Sequence, residues 1–435
     1  MSINIDKTNI KIYLFLSIFL CGCFGVTDPT YVFFDDTISL NSEYNFTCTQ
    51  DRIADAPFAN SSSGVNGFTK ETAFHICTNE QFFNIGKDSQ YWNRYFIIDQ
   101  NIDFSKFQSD DFVQIGSKET PFTGVFDGNH KTFYNIYFLN EETSYIGLFV
   151  KLAFPAQVLN LKLDGIYIHG DDYLGTIAAI NQGGLIDGVE VIGNYIKGNK
   201  FLGGIVGVHS TGEIINTLVN FTDSSVSLYG DSYIGGVAGH IEDGSVKNVT
   251  VRALNISGTG DFIGGISGVN QTGIIREVNL DIDGQVTGDN NIGGVVGKNS
   301  SSILYVTGSI NGVRGIENNV GGAVGYNDHG MIYELKLEVT ERVLGESYIG
   351  GVVGCNFNGE IESINFNGDS ITGTSHIGGI VGVSIGGEIS SSKSNIIDIV
   401  SSSSENVGGL VGLLSSGLMT NIEGAVNEVF AGEGF

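Results

Sequence analysis

Most of the chain alternates apolar and polar residues with a period of two. In the stretch GIIREVNLDIDGQVTGDNN (273–291), a glycine is followed by apolar residues, two polar residues and then a regular alternation. This pattern is typical of short, half-buried β-strands separated by turns rich in Gly, Asn, Asp and Ser. The helical period of 3.6 residues is not seen in the sequence of residues 145–435. The pattern therefore predicts an all-β fold.

A glycine motif recurs along the same region. Eight copies resemble YIGGVVG (348–354), and two degenerate copies, YIGLFVK (145–151) and YLGTIAA (173–179), precede them. Chance does not keep a spacing of 28 to 32 residues through nine intervals, so the motif marks a structural repeat. The first glycines of the ten copies are residues 147, 175, 203, 235, 264, 293, 321, 350, 378 and 408.

The repeat length selects among repeat folds. Propeller blades need about 40 residues or more, and leucine-rich repeats need an L-x-x-L-x-L pattern that this sequence lacks. A parallel β-helix or β-solenoid of about ten 29-residue coils, stacked about 4.8 Å apart, is consistent with the pattern. We predict a signal peptide at 1–23, a linker and N-terminal cap at 24–144, and the solenoid at 145–435.

The paired glycines fit a solenoid because equivalent residues stack in files. A glycine file allows two walls to approach closely or allows the backbone to bend at a corner. In a straight strand, Ile349, Val352 and Val353 would fall on both faces. Two interpretations remain open: the glycine pair bends the chain, or the outer face of this wall is apolar.

The motif and its period resemble the GLUG motif, a glycine-rich repeat of bacterial cell-surface proteins. The resemblance covers about residues 145–435, and it implies a right-handed β-helix at the cell surface without implying an activity. FTGVFDGNHKTF (122–133) resembles the segment that often precedes such repeats, and Asp127 in it is interpreted as a turn residue. TNEQFFNIG (78–86) is predicted to be a short helix that covers the first coil, with Thr78 as N-cap and Gln81 completing a capping box.

The N-terminus has the pattern of an export signal. An apolar run of nine residues (12–20) follows two lysines and is too short to span a bilayer. The following LCGC (20–23) resembles a bacterial lipobox, which implies that Cys23 receives lipid. We therefore expect a lipoprotein of the outer membrane or cell surface. A signal peptide cut nearby, giving a secreted protein, is the alternative.

Export would place the remaining cysteines in an oxidising compartment. Cys48 and Cys77 share the N-terminal region and are a candidate disulfide, although the sequence does not give their separation. Cys355 directly follows a glycine motif and is interpreted as a small apolar filler.

The net charge and the absence of catalytic motifs exclude several classes of function. The net charge of −27 disfavours binding to nucleic acid, because an acidic surface repels phosphates. The sequence has no H-E-x-x-H, G-x-S-x-G, Walker loop or C-x-x-C pair. We therefore predict no enzymatic activity, no catalytic residues, no metal site and no cofactor.

Two sets of residues have the chemistry of metal ligands as well as that of ordinary turn residues. His209, His240 and His329 follow the glycine motif, and we favour solvated turn residues over a metal-binding column. The acidic residues before the motif are interpreted as turn residues that bond backbone N–H groups rather than as calcium ligands. They are Asp171, Asp172, Asp231, Asp261, Asp289 and Glu346.

These observations predict an adhesin or a structural interaction protein. It would bind a cell-surface protein or glycan through an extended repeat face, and the membrane through its lipid anchor. One alternative is a carbohydrate-active β-helix lyase or glycosidase, with Asp103, Asp110 and Asp111 as candidate carboxylates. The other is a scaffold whose last unit (417–435) pairs with a partner through an exposed strand edge.

Overall fold

The computed structural model describes residues 47–107, 111–221, 227–403 and 405–432. The chain divides into a short unit, Met1–Thr47, of which only Thr47 is described, and a main unit, Cys48–Phe435. Strands account for 63% of the structure and helices for 6%. The main unit is a parallel β-solenoid of about 11 turns, which confirms the predicted fold.

One wall of the solenoid is a nine-stranded sheet built by the glycine motif, here called the glycine wall. Its strands pair in parallel, and equivalent glycines stand in register, as Gly321 with Gly350 and Gly350 with Gly378. The predicted glycine file is therefore present. The strands are Leu174–Gly175, Lys200–Gly203, Ser232–Gly235, Ile263–Gly264, Ile292–Gly293, Asn318–Gly321, Ser347–Gly350, Ser375–Gly378 and Val407–Gly408.

The other walls belong to a 26-stranded sheet that begins before the repeats. Strands of the region predicted as linker and cap pair in parallel with one another and then with the first repeat strands. The strands up to residue 221 are Phe74–Ile76, Tyr95–Ile98, Ile102–Asp103, Val125–Leu139, Phe149–Ala153, Gln157–His169, Ala178–Asp187, Glu190–Lys197 and Val206–Phe221.

The remaining strands of this sheet continue the same ladders to the last described coil. They are Leu228–Gly230, Ala238–Ile241, Ser245–Ala253, Ile256–Gly258, Ser267–Asn270, Ile274–Gly288, Val296–Asn299, Ser302–Gly315, Val324–Asp328, Met331–Leu344, Val353–Phe357, Glu360–Glu362, Asn365–Gly373, Val381–Ser390, Lys393–Ser401, Val411–Thr420 and Glu423–Ala431.

The glycine pair bends the chain, which decides between the two interpretations of the motif. The glycine-wall strand ends at Gly350, the next strand begins at Val353, and Ile349, Val352 and Val353 are all fully buried. A Cβ on Gly350 would collide with the carbonyl oxygen of Val353. A Cβ on Gly351 would collide with the next coil and with the Phe366 ring from another wall. The first glycine permits the bend, and the second permits close packing.

Left-handed residues turn two corners of most coils. At one corner stands the first residue of each glycine motif, with φ between 53° and 67°. Most of these residues are not glycine, so the conformation costs about 1–2 kcal/mol each and must be held by packing. At this corner they are Tyr145, Tyr173, Phe201, Tyr233, Phe262, Asn291, Asn319, Tyr348, His376 and Asn406; at the other they are Asn160, Gly188, Asn216, Asn248, Glu277, Tyr305, Glu334, Ser363, Ser391 and Asn421.

A file of buried polar side chains runs inside the strands that follow the glycine wall, here called the asparagine file. Each amide donates to the next coil, from Asn270 to Asn299 and on to Asn327 and Asn356 at 2.8–2.9 Å. The file ends at Ser384, whose hydroxyl accepts from Asn356. Because every member is fully or nearly fully buried, these hydrogen bonds are needed to satisfy the amides.

Short helices and aromatic side chains close the N-terminal end. The helix Asn79–Lys87 confirms the predicted helix, and Thr78 Oγ1 accepts from the backbone N–H of Gln81 at 3.1 Å. The capping box was predicted wrongly in one respect, because Gln81 Oε1 accepts from the backbone of Cys77 rather than that of Thr78. The other helices are Gln50–Ile53 and the 3₁₀ turns Ser61–Ser63, Lys70–Thr72 and Ser89–Tyr91.

Candidate interaction surface

The left-handed corner of the glycine motif carries a stack of aromatic rings. Five consecutive coils place their rings 4.5–5.0 Å apart, centroid to centroid. Each interior ring has both faces covered by its neighbours, so the stack presents ring edges to solvent. We infer a mainly structural role, since stacking offsets the backbone strain of this corner. The rings belong to Tyr145, Tyr173, Phe201, Tyr233 and Phe262.

A second outer surface, here called the polar face, lies on the wall that follows the other left-handed corner. Strand register aligns two outward positions per coil, so that side chains of the same position form rows along the solenoid. These side chains are exposed or half-buried. The polar face consists of Thr307, Ser309, Lys336, Glu338, Asn365, Asn367, Lys393, Asn395, Glu423 and Ala425.

The polar face is concave in two places. The larger concavity has a volume of about 420 Å³ and spans four coils, with Glu338, Asn367 and Asn395 on its surface. A bulge shapes it, because Thr340 and Glu341 stand opposite the single residue Asp369. The smaller concavity, about 330 Å³, lies beside the left-handed corner and is lined by Tyr305, Thr307, Glu334, Leu335, Lys336, Ser363 and Asn365.

The structure does not assemble the three histidines into a column. His209 and His240 belong to neighbouring coils, but register pairs His240 with Val208, and His209 with Ile241. His329 is exposed, and its Nδ1 lies 2.8 Å from Asp328 Oδ1. Among the described residues, no group of three or more His, Cys, Asp or Glu side chains is arranged to hold a metal ion.

His209 corrects the interpretation of these residues as solvated turn residues. Its side chain is fully buried in line with the asparagine file, and its Nδ1 lies 3.3 Å from Asn181 Nδ2. Burial lowers the pKa of His209 to about 4, so the imidazole is neutral at pH 7. His240 is half-buried, and burial lowers its pKa as well.

Two of the acidic residues before the motif accept from backbone N–H groups, but these groups belong to the next coil rather than to the same turn. Asp172 Oδ1 accepts from the backbone N–H of Lys200 at 2.9 Å, and Asp261 Oδ1 from that of Asn290 at 3.0 Å. Burial and the neighbouring carboxylates raise the pKa of Asp289. Stacked carboxylates therefore repel along this edge.

Among the candidate catalytic carboxylates, Asp103 is held by hydrogen bonds at a turn. Asp103 Oδ1 accepts from the backbone of Ser105 and from Asn135 Nδ2, and these hydrogen bonds lower its pKa. Asp111 is exposed, and Asp110 lies outside the described residues. Asp127 Oδ1 accepts from the backbone N–H of Asn129 at 2.9 Å, which confirms its turn role.

Two of the described cysteines form a disulfide, and the third is a free thiol. Cys48 and Cys77 form a disulfide with Cα atoms 5.8 Å apart. Cys355 is half-buried, and burial raises its pKa to about 11, so it is unreactive as a thiolate. Cys23 lies outside the described residues. Within the described ranges, no helix has the length and apolarity needed to cross a membrane.

The asparagine file and the polar face were not predicted. The file had a signal in the sequence, since Asn270, Asn299 and Asn327 each lie six residues after the first glycine of a motif. The polar face had none, because its larger concavity depends on a bulge at Thr340 and Glu341 that no residue motif marks.

Together, the fold and its rows of outward side chains define a repeat protein of the parallel β-solenoid class. Residues 345–372, which form one coil, match the family model described as the GLUG motif. This match and the solenoid fold support the predicted GLUG-type repeat. No curated protein and no solved structure gives a significant match to the chain.

Proposed function

We propose that this protein is an exported cell-surface solenoid that binds other molecules through its polar face, as an adhesin or a structural interaction protein. One observation carries the proposal: strand register repeats the same outward positions over five consecutive coils of the polar face. Extended surfaces of this kind are how solenoids commonly bind partners. The GLUG motif in residues 345–372 supports a surface location by resemblance.

Binding is favoured over catalysis by the environment of the candidate carboxylates. Hydrogen bonds hold Asp103 in its ionised form at a turn, which suits structure better than acid catalysis. We therefore propose that the protein is not an enzyme. Incubation of the purified chain with polysaccharides, followed by analysis of the products, tests this, and any turnover would reject it.

Adhesion by cells that display the full chain tests the proposed function. Lys336→Glu combined with Lys393→Glu changes the polar face and is expected to reduce adhesion at least tenfold. The matched control, Lys200→Glu with Lys247→Glu, changes the charge equally on other walls and should adhere like wild type. Equal adhesion by both double variants would reject the polar face as the binding surface.

The lipid anchor at Cys23 is part of the proposal and has its own test. Palmitate labelling is expected in wild type and lost in Cys23→Ser, which should also leave the membrane fraction. Labelling that persists in the variant would instead support a different attachment.

A further inference from the structure

The larger concavity of the polar face offers hydrogen-bonding groups of both kinds. Asn395 Nδ2 donates to Asn367 Oδ1 at 2.9 Å. The side-chain nitrogen Nδ2 of Asn367 and the side-chain oxygen Oδ1 of Asn395 then have no partner among the described residues. A hydroxyl both donates and accepts, so it can use each of these groups.

Carboxylates in the same concavity favour hydroxyl groups over anions. Glu338 and Asp369 line it, and within the described part of the chain neither has a hydrogen-bond or ion-pair partner. The lining contains no Lys or Arg, and the whole chain carries a net charge of −27. A polyanionic ligand would be repelled, whereas uncharged hydroxyls can donate to both carboxylates.

The spacing of the rows suits a chain with a short repeat. Glu338, Asn367, Asn395 and Ala425 are aligned from coil to coil, and neighbouring parallel strands lie about 4.8 Å apart. This distance is close to the length of one sugar unit in an extended chain. Successive sugar units of a ligand lying along the solenoid axis would therefore meet Glu338, Asn367 and Asn395.

An exposed apolar side chain completes the concavity. Ile397 has 48% of its surface exposed and lines the same depression. Binding sites commonly combine apolar surface with a few placed polar groups. Ile397 can contact the C–H face of a sugar ring while the amides contact its hydroxyls.

We propose that the larger concavity of the polar face binds an extended, uncharged glycan that runs along the solenoid axis. This inference rests on the function proposed above and adds the chemical class of the ligand and its site. Asn367 and Asn395 supply the central hydrogen bonds, Glu338 and Asp369 accept from hydroxyls, and Ile397 contacts the ring.

Calorimetric titration of the purified full chain with defined hexasaccharides tests the proposal. Cellohexaose, which is uncharged and extended, is expected to bind, whereas hexagalacturonate, which is anionic, is not. Asn367→Ala and Asn395→Ala should each weaken cellohexaose binding at least tenfold. Asn279→Ala lies on the same wall outside the concavity and should bind like wild type. Thermal unfolding confirms that the variants are folded.

The outcomes separate this inference from the proposed function. Failure of cellohexaose to bind, while displayed chain still mediates adhesion, would overturn the glycan site and leave the adhesion proposal standing. Binding that is unchanged in Asn367→Ala and Asn395→Ala, or binding of hexagalacturonate as tight as that of cellohexaose, would also overturn it. Loss of both binding and adhesion in wild type would reject both proposals.

Discussion

The N-terminal region (47–149) and the later repeat coils (263–401) bury their interiors with different side chains. In the first, phenylalanine rings meet mostly edge to face, as Phe82 does with Phe104 and Phe133, and a disulfide ties the chain. In the second, isoleucine and valine stack in files beside glycines and the asparagine file. The end of the solenoid is thus closed by irregular packing. The solenoid is extended by side chains that tolerate stacking on copies of themselves.

The largest loss of stability is expected from a substitution among the phenylalanine rings of the N-terminal region. Phe82 is fully buried among five other phenylalanine rings, so Phe82→Ala should lower the free energy of unfolding by about 3–5 kcal/mol. Phe154→Ala is the control, because Phe154 is 80% exposed and should change stability by less than about 0.5 kcal/mol. Urea unfolding followed by circular dichroism measures both. Similar losses for the two variants would contradict the packing described.

The next effect concerns the pH dependence of stability that arises from His209, which is buried in line with the asparagine file. The pKa of His209 is lowered from 6.5 to about 4, so the unfolded chain binds more protons between these values. The contribution of His209 to folding is therefore kept above about pH 6.5 and falls as pH decreases, by roughly 3 kcal/mol at pH 4. Unfolding of wild type and His209→Asn across this range should give diverging curves, and parallel curves would refute the assignment.

A smaller effect tests the second glycine of the motif. A Cβ on Gly379 would collide with the carbonyl oxygen of Gly409, so Gly379→Ala should destabilise its coil by about 1–3 kcal/mol. At Gly409 the nearest atom to a Cβ is Val426 Cγ2 at 3.6 Å, and Gly409→Ala should be tolerated. Hydrogen exchange reports on each coil separately. Equal protection in the two variants would mean that the close approach is not required.

The smallest loss of stability is expected from substitutions in the ring stack. Tyr173→Asn loses two stacked neighbours, while asparagine tolerates a left-handed φ better than tyrosine does. A net loss of about 1 kcal/mol is expected. Tyr348→Asn loses one ring contact, with His376, and should lose less. Thermal unfolding compares them, and a larger loss for Tyr348→Asn would contradict the stacking argument.

Features that depend on local residue patterns could be predicted from the sequence. Alternation and the 28 to 32 residue spacing predicted the parallel coils, and the placement of Thr78 predicted the helix at Asn79–Lys87. Periodicity does not show which face is buried, so it does not predict the direction of the glycine bend. Only the structure placed Ile349 and Val352 on the same interior.

Other features depend on contacts between coils and were not predicted. Asn299 and Asn327 follow their motifs near a turn, where asparagine is common, so their burial was not recognised. His209 was misinterpreted for the same reason. The candidate glycan site depends on the bulge at Thr340 and Glu341, which has an equivalent at Asp283 and Gly284 but no residue motif that marks it in the sequence.

The direction of hydrogen bonding in the asparagine file limits how the coils can be rearranged. Each amide from Asn270 to Asn356 gives its proton toward the C-terminal neighbour, while Ile241 interrupts the file on the other side. Copying an asparagine-bearing coil next to itself would lengthen the row, and each added amide would still have a neighbouring coil to donate to. Moving the coil of Ile241 into the middle would remove the amide hydrogen bond to the neighbouring coil on both sides of it. Growth by tandem duplication is thus tolerated better than shuffling of coils.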